Sequence, residues 1–130
     1  MDDANVPSLL SMPYLGYCKK EDTLYQHTRS FILSHHNPYY YQGTCASGIG
    51  SPHTSKNYIW HIALSMQGLT GTKEEAKKMI NLILETSNNE GLCHEGFNKD
   101  EPSEYTRSWF AWANSCLLYT SPSPRDRSLS

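Results

Sequence analysis

The residue pair best suited to acid–base chemistry is His94-Glu95, which lies in a stretch flanked by Gly91 and Gly96. Imidazole and carboxylate groups are common proton-transfer groups in enzymes. A histidine beside a glutamate is frequent in proteins, so the pair alone is a weak signal. It still makes this pair the first candidate for a general acid or base.

A second set of residues is suited to hydrogen bonding with a sugar. Asp2 and Asp3, followed by Asn5, offer two carboxylates and an amide that match vicinal hydroxyl groups. The same residues also favour the start of a helix, because acidic groups are stabilised at its positive end. From the residues alone, this capping role is the favoured reading.

Aromatic residues near the other end of the chain could form a surface on which a sugar ring packs. Tyr105, Trp109 and Trp112 supply ring faces, and Arg107 supplies a guanidinium that could anchor the ligand. Their helical spacing predicts that some of them lie in a core instead.

The glycine-rich segment 48–54 is predicted to present His53 on a tight loop. It is no phosphate-binding loop, because no lysine follows the glycines and no strand is predicted before them. The alternative is a plain helix-entry turn, capped by Ser51 or Thr54.

Charge and cysteine usage exclude several classes of protein. The net charge is -2 and no basic stripe occurs, which argues against nucleic-acid binding. No apolar run is long enough to span a membrane. The four cysteines lack C-x-x-C spacing and His35-His36 has no further ligand nearby, so we expect no metal and no cofactor. The absence of a disulfide pattern or signal peptide predicts a cytoplasmic location.

Hydrophobic periodicity predicts helices joined alternately by long and short connections. Asp22 is a predicted N-cap, and Thr72 with Glu75 forms a capping box at the start of the clearest amphipathic helix. The short link before it predicts an antiparallel helical hairpin. Helices are expected at about 22–34, 57–69, 73–86 and from about 106, with long loops at 35–56 and 87–106. No β alternation of any length occurs, so the predicted fold class is all-α.

The last fifteen residues, 116–130, differ in composition from the rest. CLLYTSPSPRD resembles the translation of a common transposase-based sequencing adapter, whose core encodes Cys-Leu-Leu-Tyr-Thr-Ser. We therefore expect a catalytic-domain part at 1–115 and an adapter-derived, disordered tail at 116–130. The alternative is a natural disordered tail.

Four ordered motifs resemble the C-terminal part of glycoside hydrolase family 125. They are MDDANVPSLLSMPYLGY, NPYYYQG with GIGSPHT, HEGF, and YTRSWFAWANS, and they span nearly all of residues 1–115. The resemblance implies a metal-independent exo-α-1,6-mannosidase built as an (α/α)6 barrel of helical hairpins, of which this chain would be about a third. A fragment of that kind is expected to be inactive by itself.

The resemblance also implies roles for individual residues. Glu95 would be the general base of an inverting hydrolysis, and the general acid, an upstream aspartate, would lie outside this chain. Asp3, Asn5, His53, His94, Arg107 and Trp109 would bind the mannose of an N-glycan-type oligosaccharide. Two departures affect substrate detail, since His61 stands where the family often has proline and Gly96 where serine is frequent. The alternatives are another (α/α)6 glycosidase, an inactive carbohydrate-binding relative, or a helical scaffold whose segment 37–54 is exposed and disordered.

Overall fold

The structure, a computed structural model, describes residues 3–4, 8–87 and 93–107. Within these ranges it contains three helices, α1 (Thr23–Ile32), α2 (His61–Leu69) and α3 (Lys73–Thr86). Five short strands accompany them: β1 (Tyr40–Gln42), β2 (Ser47–Ile49), β3 (Tyr58–Trp60), β4 (Gly96–Asn98) and β5 (Tyr105–Thr106). β1 and β2 form one antiparallel sheet, and β3, β4 and β5 form another in that order.

The prediction of an all-α chain is therefore wrong, and the described residues do not show a partial (α/α)6 barrel. No strand in these ranges exceeds three residues, whereas the alternation that indicates a strand needs about four or more. β1 and β2 lie in the predicted loop 35–56, and β4 and β5 lie in the predicted loop 87–106. β3 takes the first positions of the predicted helix 57–69, and Thr106 is in a strand instead of starting a helix.

The predicted start of α1 is confirmed. The Asp22 side chain accepts a hydrogen bond from the backbone N–H of Tyr25 at 3.2 Å, as an N-cap does. The Tyr25 hydroxyl in turn donates to the Leu10 carbonyl at 2.7 Å. This bond fixes the turn segment before α1 against the helix.

The predicted antiparallel hairpin of α2 and α3 is also confirmed. At one end the His61 ring lies 2.8 Å from the Thr86 hydroxyl. At the other end the Gln67 amide donates to the Glu75 carboxylate at 3.1 Å. Contacts between opposite ends of two consecutive helices require that they run antiparallel.

Only half of the predicted capping box forms at the start of α3. The Thr72 hydroxyl accepts from the Glu75 N–H at 3.2 Å. The Glu75 carboxylate, however, binds the Arg29 guanidinium at 2.9 Å, and that guanidinium also donates to the Gln67 carbonyl at 2.9 Å. Arg29 thereby ties α1 to the turn between α2 and α3.

The core is centred on α2, whose first six residues, 61–66, are all buried. Ile59 of β3 and Phe97 of β4 are fully enclosed beside it, and Ile49 of β2 is nearly so. Burying such side chains stabilises the fold by about 25 cal/mol per Å² of apolar surface. The core therefore holds β3, β4 and the N-terminal end of α2 in a fixed relation. Within the described ranges, no helix is long and apolar enough to cross a membrane.

Candidate active site

Strand register places Glu95 beside Arg107. Gly96 pairs with Trp60 on one side and with Thr106 on the other. Glu95 directly precedes this pair and Arg107 directly follows it, and the Arg107 Nε lies 3.4 Å from Glu95 Oε1. The Glu95 side chain is 16% exposed and that of Arg107 69%. The site thus has a largely enclosed carboxylate with a guanidinium on its solvent side.

The backbone around Glu95 is held by three consecutive amide hydrogen bonds. The His94 N–H donates to His61 Nδ1 at 2.8 Å. The Glu95 N–H donates to the Thr106 carbonyl at 3.1 Å, and the Gly96 N–H donates to the Thr106 hydroxyl at 3.1 Å. Acceptors on α2 and on β5 therefore fix the segment 94–96 from two directions.

His94 lies inward from Glu95, with no exposed surface. Its ring stacks on Tyr105 with centroids 3.9 Å apart and planes 5° from parallel. His61 lies on another side, with centroids 5.4 Å apart. The structure thus places His94 among aromatic rings, and its predicted contact with substrate stays a prediction.

His61 was noted in the sequence only as a departure from the family, and no role was predicted for it. Its Nδ1 accepts from the His94 N–H, and its Nε2 lies 2.8 Å from the Thr86 hydroxyl oxygen. That hydroxyl donates to the Leu82 carbonyl at 2.8 Å, so its oxygen accepts from His61 Nε2–H. Burial, with a smaller effect of His94, lowers the pKa of His61 to about 3. His61 is therefore a neutral imidazole with its proton on Nε2.

Trp60 connects the loop that carries His53 to the segment of Glu95. Its indole N–H donates to the Thr54 hydroxyl at 2.9 Å. A Cβ atom on Gly96 would lie 3.1 Å from Trp60 Cδ1, so the indole packs directly on the bare backbone of Gly96. His53 is exposed and precedes Thr54 in this loop. His53 therefore lies next to a residue that is hydrogen bonded to Trp60, the strand partner of Gly96, and its predicted role stays a prediction.

The segment 48–54 combines both readings of its sequence. The Ser51 hydroxyl accepts from the His53 N–H at 3.2 Å, so it does cap a turn. Strand β3, and no helix, follows that turn. Gly48, Gly50 and Ser51 are buried, so segment 37–54 is not the exposed, disordered loop that the helical-scaffold alternative predicted.

Asp3 is held next to the same loop. The N–H of the adjacent Ala4 donates to the Gly50 carbonyl at 3.0 Å, and Gly50 forms an isolated bridge with Ile59 of β3. The backbones of Ala4, Gly50 and Ile59 therefore lie side by side at this edge. Among the other predicted residues, Asn5 and Trp109 lie outside the described residues, as do Asp2 and Trp112.

Arg107 has an unusual backbone conformation, with φ at 54°. The left-handed region costs a non-glycine residue roughly 1–2 kcal/mol. Such strain persists where the surrounding structure imposes it, and it clusters at functional sites. At Arg107 it accompanies the contact with Glu95.

The site is distinct from a cavity of about 310 Å³ that is lined by Arg29, Thr72 and Glu75 among others. None of the predicted site residues lines that cavity, so the candidate site remains the edge that carries Glu95. In the part of the chain that the structure describes, no three His, Cys, Asp or Glu side chains are grouped so that they could hold a metal ion.

Comparison with known proteins identifies the family of the chain. Residues 1–120 match the profile of the metal-independent α-mannosidase family, glycoside hydrolase family 125. A curated relative, the meiotically up-regulated gene 157 protein of Schizosaccharomyces pombe, is 44% identical over 117 residues. The match covers 88% of this chain and 23% of the relative.

A solved structure is also similar. It is a Streptococcus pneumoniae protein from a family of metal-independent α-mannosidases, in a non-productive complex with α-1,6-mannobiose. It is 52% identical with a TM-score of 0.90, over 92% of this chain and 28% of that one. The chain thus spans about a quarter of the length of these two proteins. The profile match over residues 1–120 shows that the chain belongs to glycoside hydrolase family 125, the metal-independent α-mannosidases.

Proposed function

We propose that this chain is the segment of a longer exo-acting α-mannosidase that supplies the general base, Glu95. We refer to the full-length protein that carries the segment as the parent enzyme. The observation that carries the proposal is the enclosed Glu95 carboxylate, whose backbone is fixed on both sides and whose Oε1 is 3.4 Å from Arg107. A base needs such a defined position relative to the water that it deprotonates.

The proposed reaction is hydrolysis of a terminal α-1,6-linked mannose with inversion at the anomeric carbon. Glu95 takes a proton from water as the water oxygen bonds to that carbon. A second carboxyl group protonates the leaving glycosidic oxygen as its bond to the same carbon breaks. Inversion leaves room for the water, so the two carboxyl groups stand roughly 6.5–9.5 Å apart. This chain supplies the base, and we place the acid in the rest of the parent enzyme.

The substrate proposal rests on the α-1,6-mannobiose complex of the pneumococcal relative. The α-mannosidases to which that relative belongs are linked to the processing of N-linked glycans, and we propose a mannose-containing oligosaccharide of that kind here. Arg107 contacts Glu95, and Trp60 links the loop of His53 to Gly96; both would bind sugar hydroxyl groups. Asp3, held next to that loop through Ala4 and Gly50, would do the same. A cytoplasmic location stays a prediction from the sequence.

The test is Glu95→Gln in the parent enzyme, because this substitution keeps the side-chain shape and removes the base. We expect kcat for an α-1,6-mannobioside to fall by about 10²–10⁴-fold. Binding of mannose, measured by calorimetry, and the melting temperature should change little. With the unsubstituted parent enzyme, NMR of the first product should show β-mannose, the inverted anomer.

The matched control is Glu104→Gln, which makes the same change at an exposed glutamate on the turn between β4 and β5. It should retain full activity. Turnover by Glu95→Gln within a few-fold of the parent would place the base elsewhere. An inactive parent enzyme that still binds mannose would identify a carbohydrate-binding relative instead of a hydrolase.

A further inference from the structure

The buried imidazole of His61, close to the proposed base, has no part in the proton transfers described above. His61 is the first residue of α2 and follows the last residue of β3. It is fully enclosed, and its ring packs against Phe97 with centroids 4.8 Å apart. A histidine so enclosed cannot reach substrate, so any effect that it has on catalysis must pass through a neighbour.

That neighbour is the backbone of His94. Its N–H lies just before β4 and outside the strand pairing, which begins at Gly96. His61 Nδ1 takes the place of a ladder acceptor for this N–H, at 2.8 Å. Nδ1 can only accept in this bond, because Nε2 carries the ring proton and donates it to the Thr86 hydroxyl oxygen.

His61 also connects two parts of the chain that lie on either side of the segment 87–93. Thr86 ends α3, and His94 begins the segment that carries Glu95. The imidazole spans from one to the other with one hydrogen bond at each nitrogen. The position of Glu95, which directly precedes β4, is thereby fixed relative to the hairpin of α2 and α3.

We propose that His61 is a positioning residue for Glu95, which it holds in place through the N–H of His94. This inference rests on the proposed role of Glu95 as the general base. Displacing a reacting group by about 1 Å can lower the rate about 10²-fold. Loss of the Nδ1 acceptor should therefore lower kcat far more than it changes KM, because the groups proposed to bind the sugar, Arg107, Asp3 and the loop of His53, are held by other contacts.

Two amide substitutions separate the two nitrogens of His61. His61→Asn places an amide oxygen near the position of Nδ1 and keeps an acceptor for the His94 N–H. His61→Gln reaches toward Thr86 like Nε2 but moves the acceptor away from His94. In the parent enzyme we expect kcat to fall about 10–100-fold in His61→Gln and less than about threefold in His61→Asn, with KM nearly unchanged in both.

The control for a general loss of stability is Thr70→Val at the other end of α2. This substitution removes a buried hydroxyl that donates to the Met66 carbonyl at 2.8 Å. Thr70 caps the end of α2 opposite to His61. Thr70→Val should lower the melting temperature and leave kcat per folded enzyme unchanged. Hydrogen exchange of peptides that span 93–97 should quicken in His61→Gln only.

The outcomes separate this inference from the function on which it rests. If Glu95→Gln stays active, the base is elsewhere and the role of His61 falls with it. If Glu95→Gln is inactive while His61→Gln keeps its kcat, only the positioning role is refuted. A fall in kcat of more than tenfold in His61→Asn also refutes it, and this variant decides the question if His61→Gln does not fold.

Discussion

Acid should destabilise the folded protein through His61, and the size of this effect can be worked out. The pKa of His61 is about 3 in the folded protein, against 6.5 for an ordinary histidine. The unfolded chain therefore binds one more proton than the folded one between these two pH values. Since stability rises with pH wherever the unfolded state binds more protons, the contribution of His61 is fully present above about pH 6.5. It is lost progressively as the pH falls toward 3.

The magnitude follows from the difference in pKa. Each pKa unit corresponds to about 1.4 kcal/mol. At pH 4.5, two units below the unfolded value, the loss is about 2–3 kcal/mol of unfolding free energy. At pH 3 and below it levels off at about 4–5 kcal/mol. The ring is fully buried, so solvent screening does not reduce these figures as it would for a surface group.

The assay is urea denaturation of the parent enzyme and of His61→Asn at pH 7.5 and pH 4.5. Other groups also titrate in this range, so the informative quantity is the difference between the two proteins. The variant should lose about 2–3 kcal/mol less than the parent over this interval. Equal losses within about 0.5 kcal/mol would show that His61 is not held neutral, and the reasoning from its burial would be wrong.

Two further predictions concern the backbone and the tail. Gly50→Ala should destabilise the parent enzyme by about 1–3 kcal/mol, because its Cβ would overlap the Tyr58 carbonyl oxygen; a melting temperature equal to that of the parent would contradict this. Deleting 116–130 from this chain should leave its far-ultraviolet circular dichroism unchanged, and a marked loss of helix signal would show that the tail packs.

Local signals in the sequence predicted the parts of the fold that depend on neighbouring residues. The N-caps at Asp22 and Thr72 and the amphipathic stripe of α3 act within one or two helical turns. The antiparallel packing of α2 and α3 follows from the short link between them. The caps, the link between α2 and α3, and the i, i+3 and i, i+4 spacings within the stripe each involve residues fewer than about five positions apart.

The strands depend on partners that no local pattern reveals. β3 pairs with β4, in the register Trp60 with Gly96, across the whole of α2 and α3. Three-residue strands show no alternation, so Ile59 was interpreted as part of a helix and Phe97 as part of the loop 87–106. The fold class was missed for this reason.

The candidate site was predicted in part. The resemblance selected Glu95 and Arg107, and the structure brings them into contact. It marked His61 only as a departure and could not predict its role, because the bond from the His94 N–H crosses 33 positions of sequence. A histidine inside a buried run was the available signal. A histidine in such a run is expected to be hydrogen bonded, but the sequence does not indicate to which residue.

The bare backbone of Gly96 has a consequence for engineering. Trp60 packs against it, and the hydrogen bond from Trp60 to Thr54 holds the loop that carries His53. A side chain at position 96 would act as a wedge that shifts the indole, and the loop would move with it. A substitution at position 96 is therefore expected to move the loop of His53 relative to Glu95 while His53, Glu95 and Arg107 all stay unchanged in sequence.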